Sequence, residues 1–177
     1  MKTLPDYLAA GLDIVFVGIN PGIQSAQVGH YFAGSRNRFW DALNRSGLVD
    51  EELGPDTDAR IIQHGIGLTD VVKRPTGRAS GLQSSDFRRW GPILKEKLER
   101  FRPAIVCFHG VTGYRSYLRF AEGVASRPGL GLQRHHIGAS EVFVVPNPSA
   151  ANAAYSLDTL VLWYRRLKDL RDQHGKK

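Results

Sequence analysis

Asn20, Asp70, His109 and Asn147 are the residues of this sequence best placed for chemistry on a bound ligand. Each follows closely on a short apolar run, which is the pattern of a buried strand that stops at a polar group. Carboxamides donate and accept hydrogen bonds, a carboxylate can accept a proton, and an imidazole can accept or donate a proton. Whether the four groups form one site depends on the elements that position them.

The first apolar run, residues 14–17, is rich in β-branched residues and ends at Gly18. It predicts a buried strand followed by a turn at residues 19–22. Because Pro21 disfavours helical backbone at the preceding residue, Asn20 should be held in an extended or turn conformation. Its carboxamide then lies at the carboxyl end of a strand, where open α/β sheets bind ligands. The alternative is an ordinary turn in which these residues serve only the backbone geometry.

Three further strands are predicted between helical patterns, at residues 66–68, 104–108 and 141–145. Alternation of buried strands with helices is typical of a mainly parallel sheet covered on both faces. The sequence therefore predicts an α/β fold, with one three-layer α/β/α domain over residues 1–177 and a four-stranded sheet. Parallel strands end at one edge, so the four polar groups would converge there. Residues 24–35 are expected to form a loop, and residues 48–60 a solvated surface.

The composition limits the class of function. Lys and Arg total 24 against 17 Asp and Glu, and the net charge of +7 favours a polyanion such as nucleic acid as partner. A basic protein without such a partner is the alternative. Cys107 is the single cysteine, which argues against an intrachain disulfide or a thiolate metal cluster and favours a cytosolic setting. No apolar run is long enough for a membrane span, and the first residues lack a signal-peptide core.

Motifs for several common chemistries are missing from the sequence. It has no phosphate-binding Gly-rich loop, no dinucleotide fingerprint after the first strand and no nucleophile elbow. His135 and His136 lack a suitably spaced third ligand, so neither a metal nor a cofactor is expected. His109 fits a structural or pocket-lining imidazole better than a general base.

Several motifs together resemble the mismatch-specific uracil-DNA glycosylase and thymine-DNA glycosylase family. They are GINPG at residues 18–22, SA at 25–26, GHYF at 29–32, NRFW at 37–40, NPS at 147–149 and LKDLRDQ at 167–173. The resemblance implies a monofunctional glycosylase that hydrolyses the bond between uracil and deoxyribose, prefers G·U mismatches and leaves an abasic site. It also implies a mostly parallel four-stranded sheet, no cofactor, a monomer, and double-stranded DNA containing uracil or mismatches as the partner. Such an enzyme would work in the bacterial cytoplasm at the nucleoid, or in a nucleus.

The resemblance also assigns roles to residues. Asn20 would position the water that attacks the sugar C1′, and Phe32 would stack on the flipped base. Ser25 lies where the pocket near base C5 is limited, and backbone amides near Ile19 and Phe32 would read the pyrimidine edge. The base pocket is completed by Gly18, Tyr31 and Asn147. The predicted DNA-contacting residues are Arg36, Lys73, Arg74, Pro148, Ser149, Ala150, Ala151 and Asn152, with Arg38 and Arg78 as further candidates.

Two positions depart from the family pattern. After NPS, members of the family insert a bulky side chain into the DNA stack as a wedge and place an arginine at the orphaned guanine. Residues 150–155 of this sequence hold neither Leu nor Arg, and Ala151 occupies the expected wedge position. Tolerance of bases other than guanine opposite the target is therefore expected. Asp70 stands where relatives carry Lys or Asn, and its carboxylate could activate water as a second catalytic group. The alternative is that Asp70 pairs with Lys73, Arg74 or a backbone amide.

Two other classes of protein are alternatives. A non-catalytic nucleic-acid-binding or damage-sensing module on the same fold would bind uracil-containing DNA without releasing the base. An iron–sulfur glycosylase of a related type is opposed by the single cysteine. Base release from a uracil-containing duplex separates the binding module from the enzyme.

Overall fold

Among the residues that the structure describes, five strands form one sheet at the centre of the protein. They are β1 (Ile14–Gly18), β2 (Ile66–Asp70), β3 (Ile105–His109), β4 (Gly131–Leu132) and β5 (Glu141–Val145). Their order across the sheet is β2-β1-β3-β5-β4. Within residues 2–175, which the computed structural model describes, β4 is the one antiparallel strand. The four parallel strands therefore end at the same edge of the sheet.

Helices cover both faces of this sheet. One face carries α2 (Phe39–Ser46) and α5 (Leu157–His174), and the other carries α3 (Ser84–Phe101) and α4 (Val111–Tyr117). The predicted three-layer α/β/α architecture with a mostly parallel sheet is confirmed. Among the helices that the structure describes, none combines the length and apolarity needed to cross a bilayer.

The central strands are buried along their whole length. Every residue of β1, β2 and β3 is buried, because the layers of helices exclude water from both sides of the sheet. This explains why the strands appear in the sequence as continuous apolar runs. It also means that Asp70 and His109, the last residues of β2 and β3, are polar groups held out of solvent.

The helix α5 begins at a capping serine. The Ser156 side-chain oxygen accepts a hydrogen bond from the Thr159 backbone N–H at 3.1 Å, which caps the first turn. Its apolar positions Leu160, Tyr164 and Leu167 are buried against the sheet and α2. The period of three and four residues thus predicts both the helix and its buried face.

Three details differ from the sequence-based prediction. The sheet has five strands and not four, because β4 has only two residues and no apolar run that could reveal it. The segment predicted as a loop, residues 24–35, begins within a short helix α1 (Ile23–Val28) that buries Ser25 and Ala26. Six residues are too few for a helical period to be read.

The segment predicted as solvated surface, residues 48–60, is partly buried. Leu48, Val49 and Leu53 belong to the core, and 3₁₀ turns occupy Pro55–His64. Within these turns the Asp58 carboxylate is buried and accepts hydrogen bonds from the Tyr31 backbone N–H and the Tyr7 hydroxyl. The acidic composition of residues 48–60 was a poor guide to their exposure, because the Asp58 carboxylate has its hydrogen-bond partners inside the protein.

Candidate active site

Polar groups from neighbouring strands meet at the carboxyl edge of the sheet. Gly18, at the end of β1, pairs in register with Asp70, at the end of β2. On the other side of β1, His109 pairs in register with Val145, two residues before Asn147. The strand ends that the sequence predicted to converge therefore lie side by side.

The carboxamide of Asn20 is held in one orientation by a loop distant in sequence. Its Nδ2 donates to the Arg74 carbonyl oxygen at 2.9 Å and to the Thr76 hydroxyl at 2.7 Å. Because a carbonyl oxygen can only accept, the first contact fixes which end of the carboxamide is nitrogen. No donor within residues 2–175 contacts the Asn20 Oδ1, so this oxygen can accept from a water or a ligand.

Backbone hydrogen bonds hold the same two segments together. The N–H groups of Val71, Val72 and Thr76 donate to the carbonyl oxygens of Gly18, Ile19 and Pro21 at 2.8, 3.0 and 3.2 Å. The chain that follows β2 thus runs along the turn that carries Asn20. Sequence reasoning did not identify Thr76, because no local pattern connects it to a residue 56 positions away.

Asp70 is a buried carboxylate with an incomplete set of partners. Its side chain is buried, and Oδ2 has no hydrogen-bond partner among the described residues. Burial raises the pKa of Asp70 to about 7, while the Lys73 charge opposes this rise and the Asp6 charge adds to it. The group therefore changes its ionisation near neutral pH, which suits proton transfer.

Lys73 and Arg74 are engaged elsewhere. The Lys73 ammonium group is buried and donates to Asp6 at 2.8 Å, whereas Asp70 Oδ2 lies 3.8 Å from it. Arg74 forms two hydrogen bonds with the Asp86 carboxylate, at 2.8 and 2.6 Å. Lys73 is nearer to Asp6 than to Asp70. The geometry therefore does not favour the alternative in which an ion pair with Lys73 occupies the Asp70 carboxylate.

The absence of a side chain at Gly18 makes room for this carboxylate. A methyl group there would lie 2.5 Å from Asp70 Oδ1. We expect Gly18→Ala to displace Asp70 and to lower the free energy of unfolding by about 1–3 kcal/mol, as overpacking of a core does.

Denaturant unfolding measures this effect, and Gly129→Ala is the matched control. A methyl group at Gly129 meets no atom within 4 Å, so little change is expected there. Equal stability of the two variants would contradict the tight packing of Gly18 against Asp70.

Phe32 forms an aromatic platform beside these groups. It is partly buried, has a positive φ of 52°, and stacks on Phe39 with ring centroids 4.1 Å apart. The His109 ring meets Phe32 edge-on at 5.5 Å. A non-glycine residue in this backbone region is uncommon and needs support from its surroundings, which the stacked rings supply.

The residues on either side of Phe32 fix its position. The Ala33 backbone N–H donates to the buried Ser25 side-chain oxygen at 3.1 Å. The Tyr31 backbone N–H donates to Asp58 at 2.8 Å, and the Tyr31 hydroxyl donates to the Pro5 carbonyl oxygen at 2.7 Å. Ser25 and Tyr31 thus hold the loop in place, whatever contact they make with a base.

His109 is a neutral imidazole inside the aromatic cluster. Burial lowers its pKa to about 3. Its Nε2 lies 3.2 Å from the Tyr164 hydroxyl, and its ring stacks on Phe16 at 5.1 Å. A histidine that protonates only in strong acid suits a structural or pocket-lining role better than that of a general base.

The loop after β5 is organised by its own turn. The Asn147 side-chain oxygen accepts from the Ser149 N–H at 2.9 Å, and the Asn152 side chain donates to the Asn147 carbonyl oxygen at 3.0 Å. This leaves Ala150 and Ala151 exposed at the tip of the loop. The segment predicted to enter the DNA stack therefore projects with small side chains.

Arg38 supports this loop from outside it. Its guanidinium group donates to the carbonyl oxygens of Ser149 and Asn152 at 3.1 and 2.9 Å, and also to that of Tyr155. These contacts give Arg38, a candidate for DNA contact by sequence, a structural role. The sequence held no signal for this role, since the partners are backbone groups more than 100 residues away.

The cations predicted to contact DNA differ in accessibility. Arg36 and Arg78 are exposed, Arg74 is partly buried in its pair with Asp86, and Lys73 is buried. Within the described part of the chain, no three His, Cys, Asp or Glu side chains are grouped closely enough to hold a metal ion.

Polar groups at the carboxyl edge of a mostly parallel sheet place the protein among α/β proteins that bind a ligand at their strand ends. Residues 5–171 match the family described as the uracil DNA glycosylase superfamily. The chain belongs to this superfamily, and by family it is a hydrolytic DNA glycosylase. The resemblance seen in the sequence is thus confirmed at the level of the superfamily, and membership of its mismatch-specific family stays a prediction.

A solved structure has the same fold. It is the solution NMR structure of a proposed uracil DNA glycosylase from Methanosarcina acetivorans, with 20% sequence identity and a TM-score of 0.61. The match covers 94% of this chain and 98% of that chain. At this level of identity the likeness concerns the fold alone.

Proposed function

We propose that the protein removes uracil from DNA, with G·U mismatches as preferred substrates, by hydrolysing the N-glycosidic bond. The C1′–N1 bond breaks and its electron pair leaves with the base, while a water oxygen bonds to C1′. The product is an abasic site, without a covalent enzyme intermediate. The observation that carries this proposal is the Asn20 carboxamide, held with its oxygen available next to the strand that ends in Asp70.

Asn20 and Asp70 would have different roles towards the attacking water. Asn20 Oδ1 can accept one hydrogen bond and so orient the water, but a neutral carboxamide is a poor base. An ionised Asp70 can accept the proton that the water loses and can stabilise the positive charge that develops on the sugar. The pKa of about 7 leaves a substantial fraction of Asp70 ionised at neutral pH.

The target base must leave the DNA stack to reach this edge of the sheet. Phe32 would stack on it, and stacking contributes about 1–3 kcal/mol per base. Gly18, Ile19 and Ser25 would form the remainder of the pocket wall, together with Tyr31 and Asn147. A G·U pair opens more easily than a matched pair, which favours it as a substrate.

The loop after β5 would approach the space left in the duplex. Pro148, Ser149 and Asn152 hold its shape, and Ala150 and Ala151 offer only methyl groups. A small wedge forms few contacts with the opposite base. We therefore expect uracil release also from pairs other than G·U and from single strands.

A panel of DNA substrates tests the proposal. Each carries uracil, thymine, hypoxanthine or ethenocytosine opposite each of the four bases, or in a single strand, and base release is measured in single turnover. Release of uracil supports the glycosylase. Binding of uracil-containing DNA without any release would favour the alternative, a non-catalytic damage-sensing module.

We further expect the double substitution Arg36→Gln, Arg78→Gln to weaken binding to duplex DNA and to reduce the dependence of this binding on salt concentration. Both side chains are exposed near the proposed site, and each lost phosphate contact lowers the log–log slope by about 0.9. Fluorescence anisotropy at several salt concentrations measures the slope. The control is Arg45→Gln with Arg165→Gln, on the face formed by α2 and α5. A slope that falls equally in both variants would argue that net charge alone is responsible.

A further inference from the structure

An open groove lies between α3 and α4, on the face of the sheet away from α2 and α5. Its cavity volume is ≈ 760 Å³. Three arginines line it, Arg115, Arg119 and Arg127, and all three are exposed. Hydroxyl groups complete the polar lining, from Ser84, Ser116 and Ser126. None of these residues belongs to the candidate active site.

The charged side chains that line the groove are all positive. No carboxylate is among the described residues that line it, and its three arginines form no ion pair within residues 2–175. The two acids nearest in sequence have other partners. Asp86 is held by Arg74, and Glu122 accepts from the Tyr117 hydroxyl and lies 3.7 Å from Lys95. Such a concentration of uncompensated positive charge favours an anionic ligand.

The floor of the groove is aromatic. The Phe87 and Phe120 rings lie nearly parallel, with centroids 6.0 Å apart. The guanidinium groups of Arg88 and Arg119 lie over the Phe120 ring, at 5.8 and 5.3 Å from its centroid. Because Phe87 is buried, the partly exposed Phe120 ring and the guanidinium groups over it are the planar groups that a base can contact. A basic groove with such planar groups at its base is a general arrangement for binding single-stranded nucleic acid, which offers both phosphates and base faces.

The groove extends towards the candidate active site. A second cavity of ≈ 280 Å³ is lined by Val111 and Thr112 at the start of α4, and it shares Arg115 and Arg127 with the first. The residue before Val111 is Gly110, where a methyl group would lie 3.3 Å from the Asn147 Cβ. A strand bound in the groove could therefore continue to the edge of the sheet.

We propose that this groove binds one strand of DNA that continues from the target nucleotide, through its phosphates and exposed bases. The inference rests on the proposed function, because it takes the polymer at the active site as the ligand of the adjoining groove. It adds a second contact region for DNA beyond the base pocket. It also gives the protein affinity for single-stranded or unwound DNA, where no duplex is present to position the target.

A triple substitution tests the groove. Arg115→Gln, Arg119→Gln and Arg127→Gln keep the length of the side chains and remove their charge. Binding is measured with a fluorescent oligothymidine of about 20 nucleotides, which contains no uracil and is longer than one ordinary single-strand site. The salt slope should fall by about 2, since each single-strand phosphate contact contributes about 0.7, and the Kd at low salt should rise at least 10-fold.

The matched control is Arg45→Gln, Arg134→Gln and Arg165→Gln, which removes the same charge from exposed positions outside the groove. Circular dichroism and thermal unfolding establish that both variants are folded. Equal oligothymidine binding by the two triple variants would overturn the proposal. It would also be overturned if a poly-glutamate peptide of similar length bound more tightly than the oligonucleotide and lost its binding in the groove variant, because the groove would then be a site for an acidic protein segment.

Oligothymidine binding does not depend on catalysis, so the two proposals can fail separately. If the protein releases no uracil but the groove variant loses oligothymidine binding, the proposed function fails and the groove site stands. If uracil is released while both triple variants bind oligothymidine equally, only the groove site fails.

Discussion

Replacing Asn20 by alanine is expected to reduce the single-turnover rate of uracil release by about 100-fold or more, the loss typical when one oriented dipole is removed from an active site. The side chain is partly exposed and lies in a turn, so its removal should leave folding intact. DNA affinity should also change little, since Asn20 carries no charge. A variant with a nearly normal rate would refute the assignment of water positioning to Asn20.

A second variant separates the presence of the carboxamide from its orientation. Thr76→Val removes the hydroxyl that accepts from Asn20 Nδ2, but leaves the Arg74 carbonyl contact. We expect a smaller loss of rate than in Asn20→Ala, with unchanged DNA affinity. An equal loss in both variants would mean that the loop carrying Thr76 acts on the reaction in another way.

Asp70→Asn is the second substitution with a large expected effect. Removal of a general base costs about 10²-fold in rate, and the loss should be greatest on single strands and U·A pairs, where a mismatch does not assist flipping. In the unmodified protein, the rate should rise with pH through about 7 as Asp70 ionises, and it should level off above. The variant should lack this rise. Normal rates on every substrate would make Asp70 a structural residue.

The stability of the same variant gives an independent measurement. The pKa of Asp70 is raised from 3.8 to about 7 in the folded protein. Between these two values the folded state holds a proton that the unfolded state has released, so this group makes stability fall as pH rises. Asp70→Asn should therefore raise the Tm at pH 8 relative to the unmodified protein. A lower Tm at pH 8 would instead support the ion pair with Lys73.

The sequence predicts the fold well, and it also predicts that the strand ends carrying the candidate residues lie at one edge of the sheet. Continuous apolar runs such as residues 14–17 identify the buried strands, because both faces of the sheet are covered. Their order along the chain then implies that Asn20 and Asp70 share an edge. The two-residue strand β4 and the six-residue helix α1 were missed, since a period cannot be read in so few residues.

What the sequence did not predict are contacts between segments far apart in the chain. The partner of Asn20 is Thr76, that of Lys73 is Asp6, and Arg38 binds carbonyl groups that every residue type possesses. Neither the composition of the sequence nor the spacing of its residues indicates such pairs. The basic groove was missed for the same reason, because its two walls, the start of α3 and residues 115–127, become neighbours only in the folded protein.

The contacts of Arg38 have a consequence for how this protein could be altered. Arg38 holds the loop of residues 147–155 through main-chain oxygens, and the turn is closed by Asn147 and Asn152. The shape of the loop is thus independent of the side chains at Ala150 and Ala151, which occupy its exposed tip. Larger or charged residues can be exchanged there while the backbone is preserved. If the proposed function holds, these two positions are accordingly suitable for directed evolution of the choice of opposite base.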